Sequence, residues 1–121
     1  MKVLIIETDD KFRDHLARRL AAKGFAVDAT HDLDEARRMA CEEAPEAILL
    51  GVSGFRHQAL PFLEGLARDC PDTRVIIVNP GDMSLSIAAM KQGAVDEVTV
   101  PVDMAELAAK LRAVGDGGRR V

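Results

Sequence analysis

The chain has 121 residues, 48% hydrophobic and 30% charged, with a formal net charge of −4. That length builds one domain with a buried core. The negative charge leaves no basic footprint for nucleic acid or an anionic membrane surface. Aromatics at 3%, with no Trp or Tyr, leave no platform for stacking bases.

Val3 to Ile6 predict a first buried strand, and Met1 to Glu7 read as that strand rather than as a secretory leader. No apolar run approaches the roughly 20 residues of a membrane span. Glu7-Thr8-Asp9-Asp10 follow, and Asp9 or Asp10 can cap the next helix. Phe12, Leu16 and Leu20 give that helix an apolar stripe, and Gly24 stops it. Phe25 to Thr30 predict a short second strand. Asp32 and Glu35 have capping-box spacing ahead of a second helix with Leu33, Ala36, Met39 and Ala40 inward.

Pro45 ends that helix, and Ala47 to Leu50 run without a polar break, as suits a strand covered on both faces. Gly51 stands at its carboxyl end. Ligands of open α/β sheets sit at such ends, and glycine has no side chain to take a phosphoryl group, a metal or a proton. Val52 to Gln58 read as a loop, and Ala59, Phe62, Leu63, Leu66 and Ala67 as a third helix. Val75 to Val78 form a fourth strand, Asn79 to Asp82 a loop, and Ile87, Met90 and Ala94 a fourth helix closed by Gly93. Val95 to Val100 give a fifth strand. Asp103 and Glu106 open a last helix carrying Met104, Leu107, Ala108, Leu111 and Val114. Gly115 to Gly118 then start a flexible tail, so the domain is 1–114 and the tail 115–121.

Five strands alternating with five helices predict an α/β fold, a doubly wound parallel sheet with right-handed crossovers. Cys41 and Cys70 fall on two predicted helices with neither metal-ligand nor Cys-x-x-Cys spacing, and they read as two reduced cytosolic thiols. His15, His31 and His57 are too scattered to form a ligand pair. Gly51, Gly54 and Gly81 lack the spacing of a nucleotide-binding loop.

The order and spacing of several segments resemble the receiver domain of bacterial response regulators. These are Lys2-Val-Leu-Ile-Ile-Glu with Arg13, Pro45-Glu-Ala-Ile-Leu-Leu, Pro71-Asp-Thr-Arg-Val-Ile-Ile-Val, Ala89-Met-Lys-Gln-Gly-Ala, and Pro101-Val-Asp with Glu106-Leu. The resemblance spans Lys2 to Val114 and implies a five-stranded sheet in order 2-1-3-4-5, with a cis Val100-Pro101 bond. It also implies where a phosphorylation site would lie. The two metal-binding acids fall on Glu7 and Thr8, and the phosphoacceptor Asp on Gly51. The hydroxyl residue falls on Asn79, the switching aromatic on Glu97 and the lysine on Val100. Only Glu7 keeps the expected chemistry, so the chain is expected to be a degenerate pseudo-receiver.

Glu7 and Asp9 are the residues a divalent cation would use; a strand-end carboxylate and a helix cap are the plainer account. Ser53 and His57 could replace the acceptor, but nothing in the sequence activates them. The expected function is therefore a phosphorylation-independent signalling module in the cytoplasm, without enzymatic activity or cofactor. It would work by contact with a protein partner, a homodimer included, and bind neither nucleic acid nor membrane. Glu97 with Lys91, Lys110 and Arg112 marks the expected contact surface. The alternative is a domain that responds to a small uncharged ligand in the emptied pocket at Gly51 and Val100.

Overall fold

The computed structural model describes residues 1–117. Five parallel strands, β1 (Lys2–Ile6), β2 (Ala26–Thr30), β3 (Ala47–Gly51), β4 (Val75–Asn79) and β5 (Asp96–Thr99), form one sheet in order β2-β1-β3-β4-β5. The order agrees with the one expected.

The period of two along each strand divides the core into two layers. Val3, Ile5, Leu49, Ile76, Val78 and Val98 pack against Leu16 and Leu20 of α1 (Asp10–Ala22) and Leu107 and Leu111 of α6 (Met104–Gly117). Leu4, Ile6, Ile48, Leu50 and Ile77 face the other way. They meet Ala36 and Ala40 of α2 (Leu33–Glu43), Leu63 and Leu66 of α4 (Ala59–Asp69) and Ala89 of α5 (Met83–Lys91). Both faces are covered, which is why the central strands read as unbroken apolar runs.

Carboxylate caps start most of these helices. Asp9 Oδ1 accepts from the Phe12 N–H at 2.9 Å, which decides between the two candidate caps of α1. Asp32, Asp82 and Asp103 accept from Asp34, Leu85 and Ala105 in the same manner. The Val100-Pro101 bond is cis, as expected.

Three expectations are corrected. Val52–Gln58 is not an open loop: a short α3 (Val52–Phe55) and a 3₁₀ turn (Arg56–Gln58) fill it, because Val52 and Phe55 are drawn into the core. The last helix does not stop before Gly115 but runs to Gly117. Gly115 lies so close to Met1 that an added Cβ would be 3.2 Å from the Met1 methyl, so its lack of a side chain serves packing there. The remainder of the expected tail, 118–121, lies outside the described residues. Cys41 and Cys70 are not two separate thiols: the structure joins them, with Cα atoms 5.4 Å apart. The crossover from α2 through β3 to α4 returns the chain to the same end of the sheet, which 29 residues of separation conceal.

At the β5 edge, Lys110 ties α6 to the sheet. Its Nζ donates to Asp96 Oδ1 at 3.1 Å and to the Glu97 carbonyl at 2.7 Å, and lies 3.5 Å from Glu106 Oε1. Burial alone would pull the Lys110 pKa down; the hydrogen bonds and charges of Asp96 and Glu106 outweigh it, and the pKa rises above the ordinary 10.5. A raised pKa means stabilisation that is complete below the unfolded-state value and lost as pH rises through the folded-state value. Lys110→Met should therefore cost about 1 kcal/mol at neutral pH, a figure held down by partial solvent screening. In urea melts the gap between wild type and variant should persist to about pH 10.5 and close above it. A gap unchanged at the alkaline end would contradict this role.

Candidate functional site

The carboxyl ends of β1, β3 and β4 bring Glu7, Thr8, Gly51 and Asn79 to one edge of the sheet. Glu7 follows β1 directly, with its N–H donating to the Thr30 carbonyl at 3.1 Å. Its side chain is buried, with 7% of the residue exposed. Glu7 Oε2 accepts from the Asp9 N–H at 3.0 Å, and the Thr8 hydroxyl lies 3.4 Å from it. Arg13 comes from α1 and donates to the Glu7 carbonyl at 2.9 Å while pairing with Asp10 at 2.7 Å. The β1–α1 turn is thus fastened at its backbone and at its carboxylate.

This turn lies directly on the end of β3. A Cβ on Gly51 would be 2.9 Å from Glu7 Cδ and closer still to Oε1. Gly51 has φ −78° and ψ 101°, extended backbone that any residue adopts. The backbone does not ask for glycine; the space does. One turn later, a Cβ on Gly54 would be 2.9 Å from both Cβ and Cγ2 of Thr8. Glu7 and Thr8 therefore fill the volumes that side chains at 51 and 54 would need.

Asn79 is 1% exposed, and its amide is committed to the loop that follows it. Its Oδ1 accepts from the N–H groups of Gly81 and Asp82, both at 3.1 Å, and its Nδ2 donates to the Asp82 carbonyl at 2.9 Å. Gly81 sits at φ +115°, which glycine adopts without strain. The amide shapes the approach to α5.

The other candidates stand apart from this cluster. Val100 reaches the same edge, with its N–H 3.3 Å from the Asn79 carbonyl, but its side chain is half exposed. Glu97 pairs in register with Ile77, two residues inside the edge, and so shares the sheet face of α2, α4 and α5. Its Oε2 is buried without a hydrogen-bond partner. Asp9 spends one carboxylate oxygen on capping α1. The Arg112 guanidinium stacks over Phe25, 5.2 Å from the ring centroid.

His31 and His57, which sequence spacing kept apart, line one open cavity of about 570 Å³ with Asp32 and Asp34. Among the described residues no group of three or more His, Cys, Asp or Glu side chains could hold a metal ion. No described helix is long and apolar enough to cross a membrane.

The sequence matches the response regulator receiver domain family over residues 3–112. The chain belongs to that family. The receiver is 30% identical over 115 residues to the response regulator MprA of Mycobacterium avium, covering 94% of this chain and 50% of that protein. It thus spans about half the length of the curated relatives it matches. Among solved structures it superposes on the response regulator domain of Thermotoga maritima CheB with a TM-score of 0.84 at 24% identity, over 96% of both chains. It also superposes on the beryllofluoride-activated NtrC4 receiver domain dimer with a TM-score of 0.85 at 20% identity, over 97% of this chain and 98% of that one. It is the receiver domain of a two-component response regulator.

The close approach of Glu7 to Gly51 generates a double-mutant cycle. Gly51→Ala should cost about 1–2 kcal/mol, since the Glu7 carboxylate must leave its place and its bond to Asp9. With Glu7→Ala present the same change should cost a few tenths of a kcal/mol at most. Gly54→Ala should cost more than Gly51→Ala in the wild-type chain, because Thr8 Cβ cannot swing away as a carboxylate can. Equal costs for Gly51→Ala in both backgrounds, by urea melts, would refute the contact.

Proposed function

We propose that this receiver is a phosphorylation-independent signalling module that works by protein–protein contact. The observation that carries this reading is the Glu7 carboxylate lying over Gly51. A receiver that takes phosphate needs an acceptor carboxylate at the end of β3, room above it, and cations around it. Here the acceptor position is glycine, the room is taken by Glu7 and Thr8, and position 100 is an uncharged valine. A phosphoryl group about 4 Å from Glu7 would be repelled by about 4 kcal/mol per unit charge at an effective dielectric near ~20. The same filling of space weighs against an uncharged ligand at Gly51 and Val100. The proposed role is non-enzymatic: among the described residues at this edge, the Glu7 and Asn79 side chains are spent on holding backbone N–H groups.

The surface supports the contact mode. Met83, Ile87 and Met90 recur on one side of α5 and are 75%, 52% and 37% exposed, and Val95, just before β5, is exposed as well. A partner protein, a second copy of the chain included, would cover that side of α5; the NtrC4 receiver is described as a dimer. Lys91 and the Lys110–Asp96 pair supply a polar margin. A cytoplasmic setting, with neither nucleic acid nor membrane contacted by this domain, accords with the acidic composition and with the family.

Intact mass spectrometry after incubation with acetyl phosphate and Mg²⁺ tests the reading. No stoichiometric phosphoryl adduct should form. Near-complete gain of one phosphoryl group would overturn it, and peptide mapping would then ask whether Ser53, Thr8 or His57 carries the group.

A further inference from the structure

We propose that Cys41 and Cys70 form a reversible thiol–disulfide site that sets how tightly α2 is held to α4, with low-molecular-weight thiols and disulfides as its reactants. The pair lies at the amino edge of the sheet, far from Gly51: Cys41 is in the last turn of α2, before β3, and Cys70 ends α4, before β4. Their Cα separation of 5.4 Å falls in the range a disulfide bridges without backbone movement.

The two sulfurs are unequal in access. Cys41 is exposed, and Cys70 is 9% exposed. Both line an open cavity of about 570 Å³ bounded by Pro45, Pro71 and Thr73. A small thiol can enter there and reach the Cys41 sulfur, whereas a disulfide sealed in a core resists reduction. Exposed disulfides are the labile, regulatory ones. The asymmetry also assigns roles: Cys41 is the entry point and Cys70 the resolving thiol.

The chemistry balances by exchange. The Cys41 thiolate attacks a small disulfide RSSR; the Cys41–SR bond forms, the S–S bond of RSSR breaks, and one RS⁻ leaves. The Cys70 thiolate then attacks Cys41 Sγ and expels the second RS⁻. Two protein thiols are oxidised, RSSR is reduced to two RSH, and the two thiol protons end on the released thiols. Excess RSH runs the sequence backwards.

What the bond would control is visible in the elements it joins. Arg37, one turn before Cys41, forms an ion pair with Asp69, which precedes Cys70, so a polar tie and a covalent tie lie side by side along the α2–α4 seam. With the disulfide reduced, half-exposed ion pairs (Arg37–Asp69 and Lys2–Glu43) and the apolar packing of Leu33, Ala36, Met39 and Ala40 remain to hold α2, without a covalent tie to α4. Oxidation state then sets the ease with which α2 opens. The proposal stands whether or not the carboxyl edge of the sheet handles phosphate, because it rests on none of those residues.

The test equilibrates the folded protein in buffers of graded reduced-to-oxidised glutathione ratio. Quenching with an alkylating agent and intact mass spectrometry then count free thiols. Wild type should pass from two free thiols to none through a reversible midpoint, as a monomer on non-reducing gels. The oxidised form should melt about 10 °C above the reduced form, given the length of loop closed. Amides of α2 should exchange with deuterium faster after reduction. Cys41→Ser, a substitution at the exposed sulfur, should fold and lose the redox dependence of both readouts. Three results would overturn the proposal: thiols that stay free in oxidised glutathione, a bond that forms between chains, or a bond that resists excess reduced glutathione without denaturant.

Discussion

The β1–α1 turn rests on the end of β3 through one contact, the Glu7 carboxylate over Gly51, and much else at the carboxyl edge follows from it. Glycine there is a consequence of space, since its backbone is of a kind open to every residue. With the carboxylate in place, Oε2 gathers the Asp9 N–H, and Asp9 in turn caps α1. Arg13 closes the circuit by returning from α1 to the Glu7 carbonyl. Thr8 on Gly54 extends the seal by one turn. The edge where a doubly wound sheet ordinarily receives its ligand is here packed with the chain's own side chains.

Such packing keeps the carboxyl edge of the sheet separate from the exposed apolar face of α5. Asn79 shows the separation at the level of one residue. Its amide contacts are all made with the loop leading to α5, so the position serves the placement of the helix that bears Met83, Ile87 and Met90. Lys110 does the same at β5, binding α6 to the edge strand rather than reaching toward Gly51. Under the proposed function, the signal is carried by the α5 face rather than by a pocket.

The alternating α/β pattern, the two-layer core and the helix caps were legible in the sequence, because each follows from local signals: unbroken apolar runs at Ala47–Leu50 and Val75–Val78, stripes at Leu16 and Leu20, and carboxylates at Asp32 and Asp103; the strand order came only with the resemblance to the family. The candidate positions could be found by resemblance, but their condition could not. That Glu7 fills the space above Gly51 depends on two loops 44 residues apart approaching one another, and no spacing rule encodes that distance. The Cys41–Cys70 pair escaped for the same reason, as did the cavity shared by His31 and His57. Residues 110 and 112 of the last helix point in different directions, one toward β5 and one over Phe25, which nearness in sequence does not show. Gly115 looked like a helix terminator, as glycine usually is, and instead allows close packing against Met1.

The most direct measurement of the closed site is an NMR titration of the isotope-labelled protein with Mg²⁺ and beryllofluoride, which mimics a phosphoryl group. With Glu7 seated over Gly51, the amide signals of Gly51, Thr8, Gly54 and Asn79 should stay in place, with no more than the weak, unsaturated drift of bulk ions on an acidic surface. Saturable shifts at Gly51 and Thr8 would show that Glu7 yields its place to a ligand, and would contradict it.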